Sequence, residues 1–314
     1  MKKIAFLFPG QGSQKVGMGH DLAGSDDDAA RIFSTADRVT GLPVSRLCFE
    51  GPMADLTQTV NLQPAVTAVN LAFLTAVEKA GIRPQVCAGH SLGEYSALCA
   101  AGVVSMEDCL RLVFKRGELM HREATSRQGA MSAVVGLPID QVAAVVEKSA
   151  AAGIVAVANH NSAEQIVITG EPAAVAAAGE AAKALGAKAV PLKVSGAWHS
   201  PLIKGAEGDF KTFLEEIEFK TPRCEVIHNV SADSEPDPER IRALMVRQLC
   251  SPVRWHDSIL RMIKDRIEVF VEIGPGRVLT GLLKKIMPAA DSQPKVYNVF
   301  DLETLEAFIQ AEHH

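Results

Sequence analysis

The 314-residue sequence predicts an α/β fold, a mostly parallel sheet covered by helices and interrupted by a small α+β unit. Two observations carry this. Short apolar runs bounded by glycine or proline alternate with longer segments of helical periodicity, as strands and covering helices do in a wound sheet. Between residues 129 and 192 the order becomes strand, helix, strand, strand, helix, strand, that of a split βαβ, ferredoxin-like unit. The chain thus divides into 1–126 and 195–314, two parts of one large domain, with 127–194 as the inserted domain. A length of roughly two domain-sized units fits that division.

Taken in order, residues 4–8 are a compact apolar run that stops at Pro9-Gly10, a buried strand entering the loop Gly10-Gln11-Gly12-Ser13-Gln14. Residues 28–50 carry helical spacing at Ala29, Ile32, Phe33, Ala36 and Val39. Residues 63–80 read as a long apolar helix with Pro64 in its first turn. Residues 86–88 read as the central strand, followed by a small-residue helix over 95–101. Ser105-Met106-Glu107-Asp108 resembles a capping box that opens a helix to about residue 124. In the inserted unit the strands fall at 130–135, 154–158, 165–169 and 188–193, and the helices at 139–150 and 172–185. Asn159-His160-Asn161-Ser162 reads as the polar link between its middle strands. Beyond it come short strands near 226 and at 269–272, the turn Gly274-Pro275-Gly276 into a helix over 277–287, then a strand at 296–299 and a helix at 303–311.

Composition excludes several functions. A net charge of −5 with no Lys/Arg-rich block argues against nucleic acid as a partner. No uninterrupted apolar run approaches the roughly 18 residues of a membrane span, and the first apolar run is too short for a signal peptide. The six cysteines lie scattered in apolar stretches without metal spacing, so they read as thiols in a reducing, cytoplasmic compartment, and no metal is expected. The loop at 10–14 lacks both the Lys-Ser/Thr of a phosphate loop and a dinucleotide fingerprint. The closing His313-His314, native or a tag remnant, is set aside.

The chemistry gathers around Gly89-His90-Ser91-Leu92-Gly93, a Gly-x-Ser-x-Gly pattern between an apolar run and a helix, where a nucleophile elbow is built. The two glycines are read as letting the backbone turn sharply, so that Ser91 projects with a helix N-terminus behind it. An inert tight turn has the same pattern, so the serine needs a base. His20, His121 and His256 sit among polar residues on helices, and His228 ends a strand in a core position. His199 and His160 lie in loops at strand ends, where sites are built, and His199 is preferred. His90 adjoins Ser91 across a tight turn and is assigned packing or positioning. No acid stands out as a third member of a triad, which weakens a lipase or esterase reading.

Phe8-Pro9-Gly10-Gln11-Gly12-Ser13-Gln14, Gln63-Pro64-Ala65, Gly89 to Glu94, Arg116-Gly117, Asn159 to Ser162, His199-Ser200, Gln248 to Trp255 and Glu272 to Gly276 occur in the order and spacing of malonyl-CoA:acyl-carrier-protein transacylases. The chain resembles that family over nearly its whole length. The resemblance implies a hydrolase-like large domain. It also implies a malonyl-serine intermediate on Ser91, His199 as base held by a backbone carbonyl near Gln248, and an oxyanion hole from the N–H groups of Gln11 and Leu92. Arg116 would pair with the malonyl carboxylate, and Gln63, His90, Met120, Asn159, Asn161 and Trp198 would line the pocket. The partners implied are malonyl-CoA and acyl carrier protein, with no cofactor and a monomeric enzyme.

Trp198 departs from the family, which usually has Phe or a small residue before the histidine. It either narrows the pocket against α-branched malonyl groups or packs in the domain cleft. Ile203, where the family often has Met, reads as a neutral core exchange. Since carrier proteins are generally acidic, Lys204, Arg277, Lys284 and Lys285 are candidates for a basic docking rim. Acyltransferases serving a polyketide synthase or a malonate decarboxylase would share these residues, and a thioesterase would share Ser91 and His199.

Overall fold

The structure, a computed structural model, describes residues 2–287 and 293–313; His314 lies outside them. Strands run at β1 (Ile4–Phe8), β2 (Val86–Gly89), β3 (Ala130–Val135), β4 (Val155–Ser162), β5 (Gln165–Gly170), β6 (Lys188–Pro191), β7 (Glu225–Ile227), β8 (Val269–Ile273) and β9 (Lys295–Val299). Five of them form a parallel sheet in the order β7-β2-β1-β8-β9. The central strand is therefore β1, not the strand at 86–88. The reason is that β8 returns on the far side of β1, pairing Ile4 with Val269.

Both faces of this sheet are covered, which is why its strands read as unbroken apolar runs. Side chains alternate between the faces. Phe6, Phe8, Cys87 and Val271 join the core under the helix Thr59–Lys79, whereas Ala5, Leu7, Val86 and Phe270 pack with Trp255, Ile259, Leu279 and Leu283 from the helices Trp255–Lys264 and Val278–Ile286. The helix Thr59–Lys79 is long and apolar enough to cross a membrane by length and composition, and it is mostly buried here as a core helix. It begins earlier than the sequence suggests, because the Gln58 carbonyl accepts from the N–H groups of Asn61 and Leu62. Pro64 consequently lies inside the helix rather than in its first turn. The helical stretch expected over 28–50 is two helices, Asp27–Thr40 and Val44–Phe49, broken where Gly41 takes a φ of 68°.

The turn after β8 is held by a buried carboxylate. Glu272 accepts from the Leu279 N–H (2.9 Å), the Thr280 N–H and hydroxyl (both 2.8 Å) and Asn298 Nδ2 (2.9 Å), capping the helix Val278–Ile286. Burial pushes its pKa up, although each of these donors works the other way.

The remaining strands form an antiparallel sheet in the order β4-β5-β3-β6. The helices Ile139–Ser149 and Pro172–Ala184 cover it, and Val134, Val142, Val145, Ile166, Ile168 and Val175 belong to an apolar cluster of its own. One expected link is strand instead. Asn159 to Ser162 are the last four residues of β4, and the turn falls at Ala163-Glu164. These polar residues sit in a strand because β5 pairs with them, and on their other side the His160 N–H donates to the Val253 carbonyl (2.9 Å) and the Val253 N–H donates to that of Ala158 (2.8 Å).

The elbow glycines are required by proximity. A Cβ on Gly93 would lie 2.0 Å from the Phe8 carbonyl oxygen, and one on Gly89 would lie 1.9 Å from the Gly93 carbonyl carbon. Gly93→Ala should therefore destabilise the protein by at least ~2 kcal/mol, since backbone, not a yielding side chain, fills the space. Gly208→Ala, in the helix Gly205–Glu215 with nothing within 4 Å of the added carbon, should be neutral or stabilising. Urea midpoints for the two variants check this; equal midpoints would refute it.

Candidate active site

Ser91 occupies the tight turn between β2 and the helix Gly93–Ala100 with a φ of 51°. The positive dihedral thus falls on the serine. Gly89 and Gly93 serve as spacers that let the turn press against β1, which corrects the idea that they supply the turn's flexibility. A non-glycine residue in this conformation costs about 1–3 kcal/mol and persists only where its surroundings hold it. Asn229 does so from the end of β7, accepting from the Ser91 N–H (2.7 Å) and donating to the Gly89 carbonyl (2.7 Å).

The serine hydroxyl lies 2.7 Å from His199 Nε2. His199 Nδ1 is 3.0 Å from the Gln248 carbonyl oxygen and 3.1 Å from that of Ser251. Carbonyl oxygens only accept, so Nδ1 carries the proton and Nε2 is left with the lone pair facing Ser91. This performs the orienting task of the missing acid without a second charge. Burial, reinforced by the Arg116 charge, lowers the His199 pKa to about 3. The imidazole is therefore a neutral base at ordinary pH.

Arg116, on the helix Met106–Ser126, is 1% exposed, and burial lowers its pKa from the ordinary guanidinium value. Its Nη1 donates to Gln63 Oε1 (3.0 Å), while Nη2 donates to Ser91 Oγ (3.1 Å) and Gln248 Oε1 (3.2 Å). Nε has no hydrogen-bond partner among the described residues. The Gln248 amide is itself oriented: Nε2 donates to the Ser91 carbonyl (2.9 Å) and to Glu94 Oε2 (2.7 Å), and Glu94 Oε1 accepts from His228 Nδ1 (2.8 Å).

A cavity of about 110 Å³ opens over the serine, lined by Gln11, His90, Ser91, Leu92, Arg116, Met120, Met131, Asn159, Leu192, Val194, Trp198 and His199. Among the described residues neither the Gln11 nor the Leu92 amide donates a hydrogen bond within the protein. Their backbones meet because Gly10 abuts the elbow, where a Cβ would lie 2.5 Å from the His90 carbonyl oxygen. Two expected lining residues stand behind the wall instead. Gln63 donates to Met120 Sδ (3.3 Å) beneath Arg116, and Asn161 Oδ1 accepts from His90 Nε2 (2.8 Å). His90 also packs edge-on against Trp255. Trp198 both lines the cavity and joins the large core. His160, the alternative base, is not among the lining residues and faces His256 and Asp257.

A sequence model of the acyl transferase domain matches residues 5–299. A Bacillus subtilis protein named malonyl CoA-acyl carrier protein transacylase is 44% identical over 312 residues, 99% of this chain and 97% of its own. The chain belongs to the acyl transferase family. An acyl carrier protein S-malonyltransferase from Vibrio cholerae superposes on this acyl transferase with a TM-score of 0.92 at 41% identity, over 98% of this chain and 100% of the other. A malonyl-transacylase solved in complex with a type II PKS acyl-carrier protein superposes with a TM-score of 0.94 at 39% identity, over 99% of this chain and 100% of the other.

Several residues of the acyl transferase site escaped the sequence reading. Asn229 carries no local signal, being an ordinary residue at a strand end, and Glu94, although part of the elbow motif, gives no sign in sequence of its bond to Gln248. Met131 lies in β3 and Leu192 and Val194 follow β6, positions that a strand pattern alone does not mark as pocket wall.

The depressed His199 pKa has two consequences. The folded protein binds fewer protons here than the unfolded chain between the ordinary value of 6.5 and about 3. The neutral His199 thus contributes stability fully above 6.5, lost progressively as pH falls through that window. Labelling of Ser91 by a serine-directed fluorophosphonate should accordingly show no inflection near pH 6.5, and Arg116→Gln should move the inflection upward by removing the second cause. Rate profiles from pH 4 to 8 test both; an inflection at 6.5 in the unaltered protein would overturn the assignment of a buried neutral base.

Proposed function

We propose that this protein transfers a malonyl group from malonyl-CoA to the phosphopantetheine thiol of acyl carrier protein, through a malonyl ester on Ser91, feeding fatty acid synthesis. The observation that carries this is the buried Arg116 guanidinium 3.1 Å from the serine hydroxyl, whose hydrogen bonds among the described residues go to two amide oxygens and that hydroxyl and to no carboxylate. A hydrolase acting on neutral esters has no use for such a group. An acyl chain ending in a carboxylate does, because the planar guanidinium binds it in two-pronged fashion.

The steps follow from the geometry. As Ser91 Oγ attacks the thioester carbonyl, its proton passes to His199 Nε2, and the oxyanion is held by the Gln11 and Leu92 amides. The carbon–sulfur bond breaks, and coenzyme A leaves as its thiol with the proton from His199. The carrier's thiol then gives its proton to His199 and attacks the malonyl ester. Ser91 leaves as the alcohol, and the malonyl thioester departs on the carrier. No cofactor enters these steps.

We take residues 127–194 as a domain inserted into the large one, a reading supported by its separate sheet and apolar cluster. We take a monomer as the working unit, and the six free cysteines suit a reducing cytoplasm. Exposed Lys204, Arg277, Lys284 and Lys285 remain the proposed rim for an acidic carrier. A polyketide carrier is the second reading, favoured by the relative solved with such a partner. Supplying both carriers separates the two.

Ser91→Ala should abolish covalent malonyl labelling and transfer; labelling retained elsewhere would refute the nucleophile. Arg116→Ala leaves the malonyl carboxylate unpaired, a cost on the order of 2–5 kcal/mol. The kcat/KM for malonyl-CoA should fall at least ~30-fold, at about 1.4 kcal/mol per tenfold, while acetyl-CoA transfer is unchanged or improved. Equal losses for both donors would make Arg116 structural.

A further inference from the structure

Among the described residues, one group of three metal-ligating side chains lies outside the site described above. His160 on β4 and His256 and Asp257 at the start of the helix Trp255–Lys264 place one ligand atom each within 4.8 Å of one another. Nδ1 of His160 and Nδ1 of His256 lie 3.9 and 3.8 Å from Asp257 Oδ1, and the two imidazole centroids are 4.6 Å apart. We propose that His160, His256 and Asp257 bind a single transition-metal ion of the Zn²⁺ class, which clamps β4 to the helix Trp255–Lys264.

The chemistry of the donor set selects the ion. Two imidazoles and one carboxylate suit Zn²⁺ with water as fourth ligand, and they do not suit Mg²⁺ or Ca²⁺, which take oxygen donors. A tetrahedral Zn²⁺ spaces neighbouring ligand atoms about 3.3 Å apart, so small side-chain rotations close the gaps of 3.8 and 3.9 Å. Two of the three ligands visibly have an orbital to offer. His256 Nδ1 is buried without a hydrogen-bond partner among the described residues, a vacancy that a buried polar atom seldom keeps. Arg254 occupies only Oδ2 of Asp257, through Nε (2.9 Å) and Nη2 (2.8 Å), leaving Oδ1 turned to the imidazoles.

The backbone is already set. The two hydrogen bonds between Ala158, His160 and Val253 fasten β4 to the chain entering this helix, so the ligands from both sides meet without a large movement. The ion would reinforce that junction next to the acyl cavity, since the residues flanking His160 are Asn159, in the cavity wall, and Asn161, which holds His90. The inference does not depend on the acyl-transfer reading, and its test reads metal binding alone.

The experiment titrates ZnCl₂ into the full-length, chelator-stripped protein and into His160→Gln, His256→Gln and Asp257→Asn, by calorimetry and by thermal melting. The unaltered protein should bind one equivalent with micromolar or tighter affinity and melt at a higher temperature with Zn²⁺, while Mg²⁺ at the same concentration shifts nothing. Each variant should bind at least ~30-fold more weakly and lose the Zn²⁺-induced shift. Asp257→Asn, which keeps the side-chain shape, guards against loss by misfolding, and melting without metal identifies any variant that fails to fold. With Co²⁺ the near-ultraviolet spectrum should lack thiolate charge-transfer absorption, which separates this site from the cysteines. The proposal is overturned if the unaltered protein binds no equivalent, if Mg²⁺ shifts it as Zn²⁺ does, if the folded variants bind Zn²⁺ as tightly, or if the Co²⁺ spectrum reports thiolate ligands.

Discussion

The site depends on the close approach of two backbones, the end of β1 and the turn that follows β2. Parallel pairing of Phe8 with Gly89 makes both strands end side by side, so the loops leaving them emerge at the same edge of the sheet. Gly10, Gly89 and Gly93 each face backbone atoms of the other turn or of their own at distances no Cβ tolerates. Without side chains at these points the Ser91 hydroxyl and the Gln11 and Leu92 amides converge on one cavity. This is the usual place for a ligand in a parallel sheet, outside the carboxyl ends of the strands. Asn70 braces the same edge, donating to the Pro9 carbonyl and to Ser96 Oγ, both at 3.1 Å.

The electrostatics follow from where charge is withheld. Arg116 and Glu94 are both buried, and a direct ion pair between them would satisfy each at the other's expense of availability. The Gln248 amide stands between, donating to Glu94 and accepting from Arg116, and Glu94 is completed by His228. The guanidinium is thereby held by neutral groups and keeps its charge for an incoming anion. A glutamate at 248 would have filled that role internally. The same residue's main-chain carbonyl takes the His199 proton donor, so one glutamine governs both the base and the anion receptor. The cost of burying an unpaired cation falls on the folded protein and is relieved only when a carboxylate arrives.

Sequence periodicity identified the elements well where burial on both faces or a cap left a strong local signature. The runs Ile4–Phe8 and Val269–Ile273 are examples, and so is Ser105, whose hydroxyl accepts from the Asp108 N–H as the pattern suggested. It misjudged positions whose conformation is set by distant partners. Asn159 to Ser162 look like a turn because they are polar, and they are strand because β5 pairs with them on one side, while Val253 bridges Asn159 on the other. Pro64 looks like a helix start, and the helix starts earlier because Gln58 supplies a free carbonyl.

What the sequence determined by itself was the alternation of strands and helices and the elbow pattern around Ser91, since apolar period and glycine spacing are local properties of the chain; loop position left His199 and His160 alike as candidate bases. Its resemblance to a family supplied the expectation for Arg116. Which strand is central, that Asn229 steadies the serine, that the Ser251 carbonyl joins that of Gln248 on His199, and that His160 faces His256 and Asp257 were decided only by the tertiary structure. Each is a contact between residues scores of positions apart or a consequence of strand order, and neither leaves a periodic trace in a single sequence.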